Sequence, residues 1–421
     1  MKPQMRIVES SDEDAVARLV DRGSQRDAGL ERRVRQIVSA VRSRGDAAVI
    51  EYAQKFDNLE GAVEVAPGEM TRLARTVAPD VRDAITLAAR NITTVARKQV
   101  PKGWRVTTAP GVGIEQRVTP LDRVGCYVPG GRYPLPSSLL MTAIPARVAG
   151  VREVIAVCPR PDATVMLAAL EAGVDRMYRI GGAHAVAALA YGTQTIPPVN
   201  KIAGPGNAYV AAAKALVSRD CAIDFFAGPS EIVVVSANGH PAWIAADLLA
   251  QAEHDPDARA ILLTPSRRLA AAVAMEIERQ LTVTGPAREA LSRNGAIVIT
   301  RTIAGAVALS QRIAPEHVVC DDEKVAATLT AAGTVFVGDY SAQALGDYSS
   351  GSNHVLPTGG AARGRGGLSA ADFVRVSTVQ RVTRAGVRTI GPAAIALAEA
   401  EGLIGHAESV RMRLGPGEDR R

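Results

Sequence analysis

Aromatic side chains are scarce in this chain: Phe, Trp and Tyr make up 4% of its 421 residues. The core must therefore be built from Ala, Val, Leu and Ile. Cysteine is rarer still. Cys126, Cys158, Cys221 and Cys320 are far apart and none forms a CxxC pair, which excludes a zinc ribbon and a disulfide scaffold. No apolar stretch reaches the roughly 18 residues a membrane-spanning helix needs. The opening residues carry no apolar segment of the secretory kind, so a cytoplasmic protein is the expectation. The excess of positive charge is also thin, at +6. Basic residues alternate with acidic ones, as in Glu31-Arg32-Arg33, so the pI of 9.3 marks no nucleic-acid-binding face. No internal repeat or low-complexity tract is present.

What is abundant is ordinary globular material, 47% hydrophobic and 22% charged residues, which excludes a disordered or fibrous chain. The length suggests two or more domains. A chain of this size buries about three quarters of its unfolded surface, so it needs no metal merely to fold.

The first hundred residues read as helical. Val34, Ile37, Val38 and Val41 follow the i, i+3, i+4, i+7 spacing of a helix, and Gly45 interrupts the pattern. From Val124 short apolar runs alternate with helical stretches. EVIAVC, RMYRI, KIAG, IDFF, EIVVV, AILLT, AIVIT, HVVC and TVFVG are strand candidates. That alternation predicts parallel, doubly wound α/β sheets. The expected architecture is two Rossmann-like α/β/α domains with an N-terminal helical arm and a C-terminal tail. Residues 1–25 form the arm. Residues 26–123 and 232–367 form a discontinuous first domain, 124–231 a second domain, and 368–421 a tail that packs on its own subunit or a neighbour.

Six histidines are present, and four of them sit among carboxylates, amides and glycines. Gln251 and His254 share a helix face at spacing i, i+3. Glu316-His317 joins a carboxylate to an imidazole at the mouth of an apolar strand, a pairing suited to proton transfer near neutral pH. Gly346 to Thr358 is a polar, glycine-punctuated loop holding Asp347, Asn353 and His354. Glu401 and His406 close the tail. Each has a bland explanation when taken singly: a helix-terminal histidine favoured by the macrodipole, a strand opening, a self-bonded turn, a polar helix end. Together they supply Gln251, His254, Asp347 and His406 as nitrogen and oxygen ligands for zinc or a similar divalent ion. A set without thiolates points to a catalytic rather than a structural metal.

No G-x-G-x-x-G after a strand and no P-loop occurs. Three other glycine turns stand near strand ends: Tyr127-Val-Pro-Gly-Gly131, Gly181-Gly182-Ala183-His184 and Gly204-Pro-Gly206-Asn207. Helix N-termini with open N–H groups accept phosphate, and three such turns fit a dinucleotide crevice. Each alone is also a tight turn of an α/β fold.

Ala227-Gly-Pro-Ser-Glu231, Asp247-Leu-Leu-Ala-Gln-Ala-Glu-His254, Pro315-Glu-His317 and Gly346-Asp-Tyr to Ser352-Asn-His-Val-Leu-Pro-Thr358, in this order, resemble the histidinol dehydrogenase family. Val124-Gly-Cys-Tyr-Val-Pro-Gly-Gly131 and Tyr191-Gly-Thr-Gln-Thr-Ile-Pro-Pro198 fit it too. The resemblance runs from about residue 29 to residue 411. It implies oxidation of L-histidinol through L-histidinal to L-histidine, with two NAD and one zinc ion per subunit. It implies Gln251, His254, Asp347 and His406 as zinc ligands and Glu316 and His317 as the acid/base pair. Ser230, His354 and Glu401 become further substrate contacts, alongside the zinc ligands and His317. Tyr127, His184 and Asn207 take the NAD-contact positions. His406 and Glu401 would reach the neighbouring subunit of a homodimer. His184 departs from the glutamine usual in that turn, and Ser352 replaces a common threonine.

Three other readings stay open. A related zinc- and NAD-dependent dehydrogenase could act on another small polar alcohol, such as a sulfonated diol. A non-catalytic zinc- or nucleic-acid-binding protein is suggested only by the pI. An aldehyde-oxidising thiol would use Cys126 or Cys221.

Overall fold

The structure, a computed structural model, describes residues 5–20, 27–130, 134–225, 228–281 and 285–415. Gly131 of the first glycine turn, Phe226 of the IDFF run and Ala227 lie outside the described residues. The strands are β1 (Arg6–Glu9), β2 (Trp104–Ala109), β3 (Val112–Pro120), β4 (Arg123–Tyr127), β5 (Glu153–Val157), β6 (Arg176–Tyr178), β7 (Lys201–Ala203), β8 (Ala222–Ile223), β9 (Glu231–Val235), β10 (Arg259–Thr264), β11 (Ala296–Ile299), β12 (His317–Cys320), β13 (Thr334–Val337) and β14 (Val374–Val382). The chain divides into two compact units, Met1–Gln99 with Asp122–Phe373, and Val100–Leu121 with Val374–Arg421.

The first unit contains two wholly parallel sheets. One has the order β1-β11-β10-β9-β12-β13, the other β6-β5-β4-β7-β8. Every residue of β9 is buried, as expected of a strand covered on both faces. Side chains alternate between the faces. Ile232 and Val234 meet the helices Pro241–Ala252 and Arg267–Gln280 on one side. Val233 and Val235 meet Val16 and Leu19 of Glu13–Val20 and Ala306, Leu309 and Ile313 of Ile303–Ile313 on the other. The doubly wound expectation therefore holds for the layers.

Three of the expected boundaries differ from the structure. The described part of the expected N-terminal arm is built into the six-stranded sheet. Arg6–Glu9 pairs in parallel with β11, and Val16 and Leu19 enter the core. A four-residue edge strand is too short to show a period. The helices Ala28–Arg44 and Asp46–Phe56, assigned to the same domain as residues 232–367, pack instead on the five-stranded sheet. Val34, Val38, Val41 and Val49 share a core with Ile155, Val157 and Ile202. Between these helices Gly45 has φ +57°, and a Cβ there would lie 2.4 Å from Gln194 Oε1. That close approach explains the interrupted heptad-like pattern.

In the second unit β2, β3 and β14 form an antiparallel sheet in the order β14-β3-β2. Nine residues of β14 pair with β3, from Val374↔Pro120 to Val382↔Val112. The helices Arg384–Ala400 and Ile404–Leu414 fold as a hairpin around Ile395, Ala407 and Leu414. The helical hairpin thus has a small core of its own, and residues 104–120, which were expected in the first domain, group with the tail. Gly111 at φ +79° closes the β2–β3 hairpin; a Cβ there would stand 2.3 Å from Thr383 Oγ1. Among the described residues no helix is long and apolar enough to cross a membrane.

Candidate active site

β9 and β12 are parallel neighbours with His317 opposite Ile232, so Ser230 and Glu316 both stand at the amino edge of the six-stranded sheet. The backbone of Glu231 joins them. Its N–H donates to Glu316 Oε2 at 2.9 Å, and its carbonyl accepts from His317 Nδ1 at 3.1 Å. A carbonyl can only accept, so Nδ1 carries the hydrogen and the neutral ring presents a bare Nε2. Nε2 is buried, has no hydrogen-bond partner among the described residues, and lies 3.7 Å from Asp347 Oδ1. An imidazole held in this tautomer, with its basic nitrogen aimed past a carboxylate, can take a proton from a bound molecule.

Burial pushes Glu316 up to about 7, although the neighbouring His317 draws it down. Burial acts against the charged form of His317, but the carboxylates of Glu316 and Asp347 outweigh it and its pKa rises. For Asp347 burial works upward, and His317 overrides it, with His354 and His254 adding to the fall. His354 is lowered, chiefly by burial. Its Nδ1 donates to the Asp347 carbonyl at 2.8 Å, and Nε2 stands 3.5 Å from Ser138 Oγ. Asp347 lies in the short helix Gln343–Tyr348, where the Gln343 amide donates to Oδ2.

Gln251 ends the helix Pro241–Ala252, which packs against Gln343–Tyr348. Its amide is fully buried, and neither Oε1 nor Nε2 has a partner among the described residues. An orphaned buried amide costs about 1–3 kcal/mol, which makes a ligand for its oxygen the physical reading. His254 lies two residues past the helix end and is exposed, and it stands near enough to bear electrostatically on both Asp347 and His354. Among the described residues no three His, Cys, Asp or Glu side chains gather to hold a metal ion. The expected ligand set does not require such a group within the first unit, which holds only His254 and Asp347 of that kind plus the Gln251 amide. His406, and Glu401 with it, are exposed on the helical hairpin of the second unit. An amide oxygen, a carboxylate and an imidazole suit zinc, so the residues of the first unit fit the ion.

The other three expected contacts lie at the carboxyl ends of the five-stranded sheet. β5 lies on one side of β4 and β7 on the other, so the order reverses between β4 and β7, the place where open α/β sheets bind ligands. Tyr127 ends β4, and Asn207 caps Ala208–Val217 just past β7, its Oδ1 accepting from Tyr209 N at 3.0 Å. A Cβ on Gly204 would stand 2.1 Å from the Tyr127 carbonyl, and one on Gly130 2.1 Å from Pro159. These glycines let the turns pack closely on one another at the carboxyl ends of the strands. His184 is buried: its side chain is 2% exposed, and Nε2 bonds Asp57 Oδ2 at 2.9 Å.

The thiol reading fails on burial, which pushes Cys126 up to about 12 and Cys221 to about 11. Two residues that matter escaped the sequence reading. Glu231 stood inside a quoted motif with no role, and Asp57 offered no local signal at all.

Asp247, one turn before Gln251, gives a first prediction. Burial alone lifts its pKa from 3.8 to about 6. The fold thus favours its neutral form. The stability this contributes is complete below pH 3.8 and is lost as pH rises through about 6. Asp247→Asn should therefore gain thermal stability over the wild type at pH 8 relative to pH 4. A difference in Tm that does not change with pH contradicts this.

Comparison with known proteins bears on the whole chain. The family model described as histidinol dehydrogenase matches residues 20–414. A histidinol dehydrogenase of Cereibacter sphaeroides is 48% identical over 399 residues, covering 90% of each chain. One from Dechloromonas aromatica is 45% identical, covering 92% of this chain and 93% of its own. The crystal structure of histidinol dehydrogenase from Elizabethkingia anophelis superimposes with a TM-score of 0.93 at 34% identity, over 97% of this chain and 98% of that one.

Proposed function

The chain belongs to the histidinol dehydrogenase family, and from that premise we propose that it oxidises L-histidinol, through L-histidinal, to L-histidine. The observation that carries the reading is the buried Glu316–His317 pair with a bare Nε2 beside Asp347. Gln251, His254 and Asp347, with His406 of the partner subunit, would hold one zinc ion. Ser230 and His354, with Glu401 of the partner subunit, would complete the substrate contacts. Tyr127 and Asn207 would border the NAD. When bound, zinc supplies a grip on the amino and imidazole nitrogens of the substrate, and NAD accepts the hydrides.

The protein's own groups move the protons. His317 Nε2 takes the hydroxyl proton of the alcohol as the carbon gives up its first hydride, and burial keeps water from competing for that nitrogen. Glu316, close to half-ionised near neutral pH, takes a proton from the water that adds to the retained aldehyde. The protonated His317 returns its proton to the aldehyde oxygen as the water adds, which completes the hydrate, and the neutral ring then accepts a hydroxyl proton of the hydrate as the second hydride leaves. The Nδ1–H bond to Glu231 stabilises the imidazolium formed each time. Such a reaction uses the NAD pool of the cytoplasm and needs neither nucleic acid nor membrane. The comparisons do not favour a sulfonated-diol dehydrogenase.

The test is an assay of purified protein with L-histidinol and NAD. NADH should form, stop after treatment with a chelator, and resume when zinc is restored. Absence of NADH with zinc present, or turnover indifferent to chelation, contradicts the reading.

A further inference from the structure

Asp57 lies outside the proposed catalytic and metal residues, and its surroundings give it a task. It ends the helix Asp46–Phe56, is buried, and reaches across to the end of β6. There one oxygen, Oδ2, accepts from Gly181 N and from His184 Nε2, both at 2.9 Å. The next residue, Gly182, sits at φ +56°, and its N–H donates to the Tyr127 hydroxyl at 2.9 Å. Tyr127 is thereby tied to a turn that would otherwise have only backbone to fix it. Gly181 packs closely on Pro159, so that a Cβ there would stand 2.9 Å from the proline ring. Tyr52 and Phe56 flank His184 with ring centroids 6.0 and 6.4 Å away, completing the wall behind the turn.

The same device recurs across the crevice. Asp224 accepts from Gly204 N at 2.8 Å, and Lys214 is its buried partner while donating to Gly204 O at 2.9 Å. Each glycine turn is thus pinned through its backbone N–H by a buried aspartate, and each aspartate has a buried basic partner. A buried carboxylate retained at two equivalent places is expensive unless it fixes something. What both fix is the rim between β4, β6 and β7.

We propose that Asp57 is a positioning residue for the dinucleotide, holding the Gly181–Gly182 turn and the Tyr127 hydroxyl in place, and that His184 serves as its buried partner. This rests on the NAD reading above. Asp57→Ala frees both donors. Asp57→Asn keeps one acceptor for Gly181 N and is the conservative comparison.

The experiment is a fluorescence titration of zinc-loaded protein with NADH, followed by steady-state kinetics. Asp57→Ala should weaken NADH binding and raise KM for NAD by about tenfold, the equivalent of one lost positioning contact. The kcat at saturating NAD and KM for L-histidinol should stay within about twofold, since neither substrate contact nor proton transfer involves this turn. Asp57→Asn should recover most of the loss. Unchanged NADH binding in Asp57→Ala, or an equal fall in kcat with both KM values constant, overturns the inference. If the wild-type protein binds no NADH, the cofactor reading itself falls and takes this inference with it. If Asp57→Ala does not fold, Asp57→Ser carries the test in the same titration, because its short side chain cannot reach Gly181 N; NADH binding equal to wild type in that variant overturns the positioning role.

Discussion

Replacing His317 by Asn should slow oxidation of L-histidinol by roughly 10²–10⁴-fold while leaving NADH binding unchanged. Asn keeps a side chain of similar reach that can still donate to the Glu231 carbonyl, so the scaffold at the amino edge of β12 survives. What it removes is the basic nitrogen. In the wild type Nε2 is buried, bare and 3.7 Å from Asp347 Oδ1, with Nδ1 committed to the Glu231 carbonyl. His354 is held in the same tautomer, its Nδ1 donating to the Asp347 carbonyl, but its Nε2 faces Ser138 Oγ at 3.5 Å, and Glu316 acts on water in a separate step. Steady-state rates at several pH values measure the effect. Turnover within about threefold of wild type would remove His317 from proton transfer.

The second large effect concerns stability. Lys214→Met should cost on the order of 3–5 kcal/mol, because it leaves a buried carboxylate without its counter-charge. The Lys214 and Asp224 side chains are 4% and 1% exposed, so water cannot compensate. Asp224 also accepts from Gly204 N and Phe225 N, which holds it in place after its partner has gone. The loss is a large share of the 5–15 kcal/mol that typically separates folded from unfolded protein. Lys214→Met with Asp224→Leu should recover part of it, since an apolar pair of similar volume replaces both charges, although two backbone donors are then freed. Urea midpoints of the wild type, the single and the double variant decide the matter. A single variant as stable as the wild type would show that the pair contributes nothing.

The layers of the fold were readable because β9 to β12 are short, apolar and buried on both faces, and because helices alternate with them. Residues 6–9 and 104–120 were not readable. The first is a four-residue edge strand, and β2 is exposed almost throughout, so neither carries a hydrophobic period. The Pro110-Gly111 turn between β2 and β3 was the available signal. Helices 28–56 look the same from sequence whichever sheet they cover. Only the packing of Val34, Val38 and Val41 against β5 and β7 assigns them.

The same division runs through the site. Glu316, His317, Asp347 and His354 announce themselves as reactive side chains in a polar context, and the first unit does bring them together. Glu231 acts on Glu316 and His317 through its backbone, and a backbone contact has no sequence signature. Asp57 meets His184 across 127 positions, so nothing near either residue foretells the pair. The resemblance places His184 at the cofactor, and nothing in its neighbourhood in the sequence foretells that its ring is buried beside Tyr52 and Phe56.

The measurement that bears most directly on the whole account is a product count from a limiting amount of L-histidinol with excess NAD and zinc-loaded protein. The account predicts two NADH and one L-histidine for each alcohol consumed, with no aldehyde free in solution. One NADH per alcohol with released aldehyde, or no oxidation of L-histidinol at all, would contradict it.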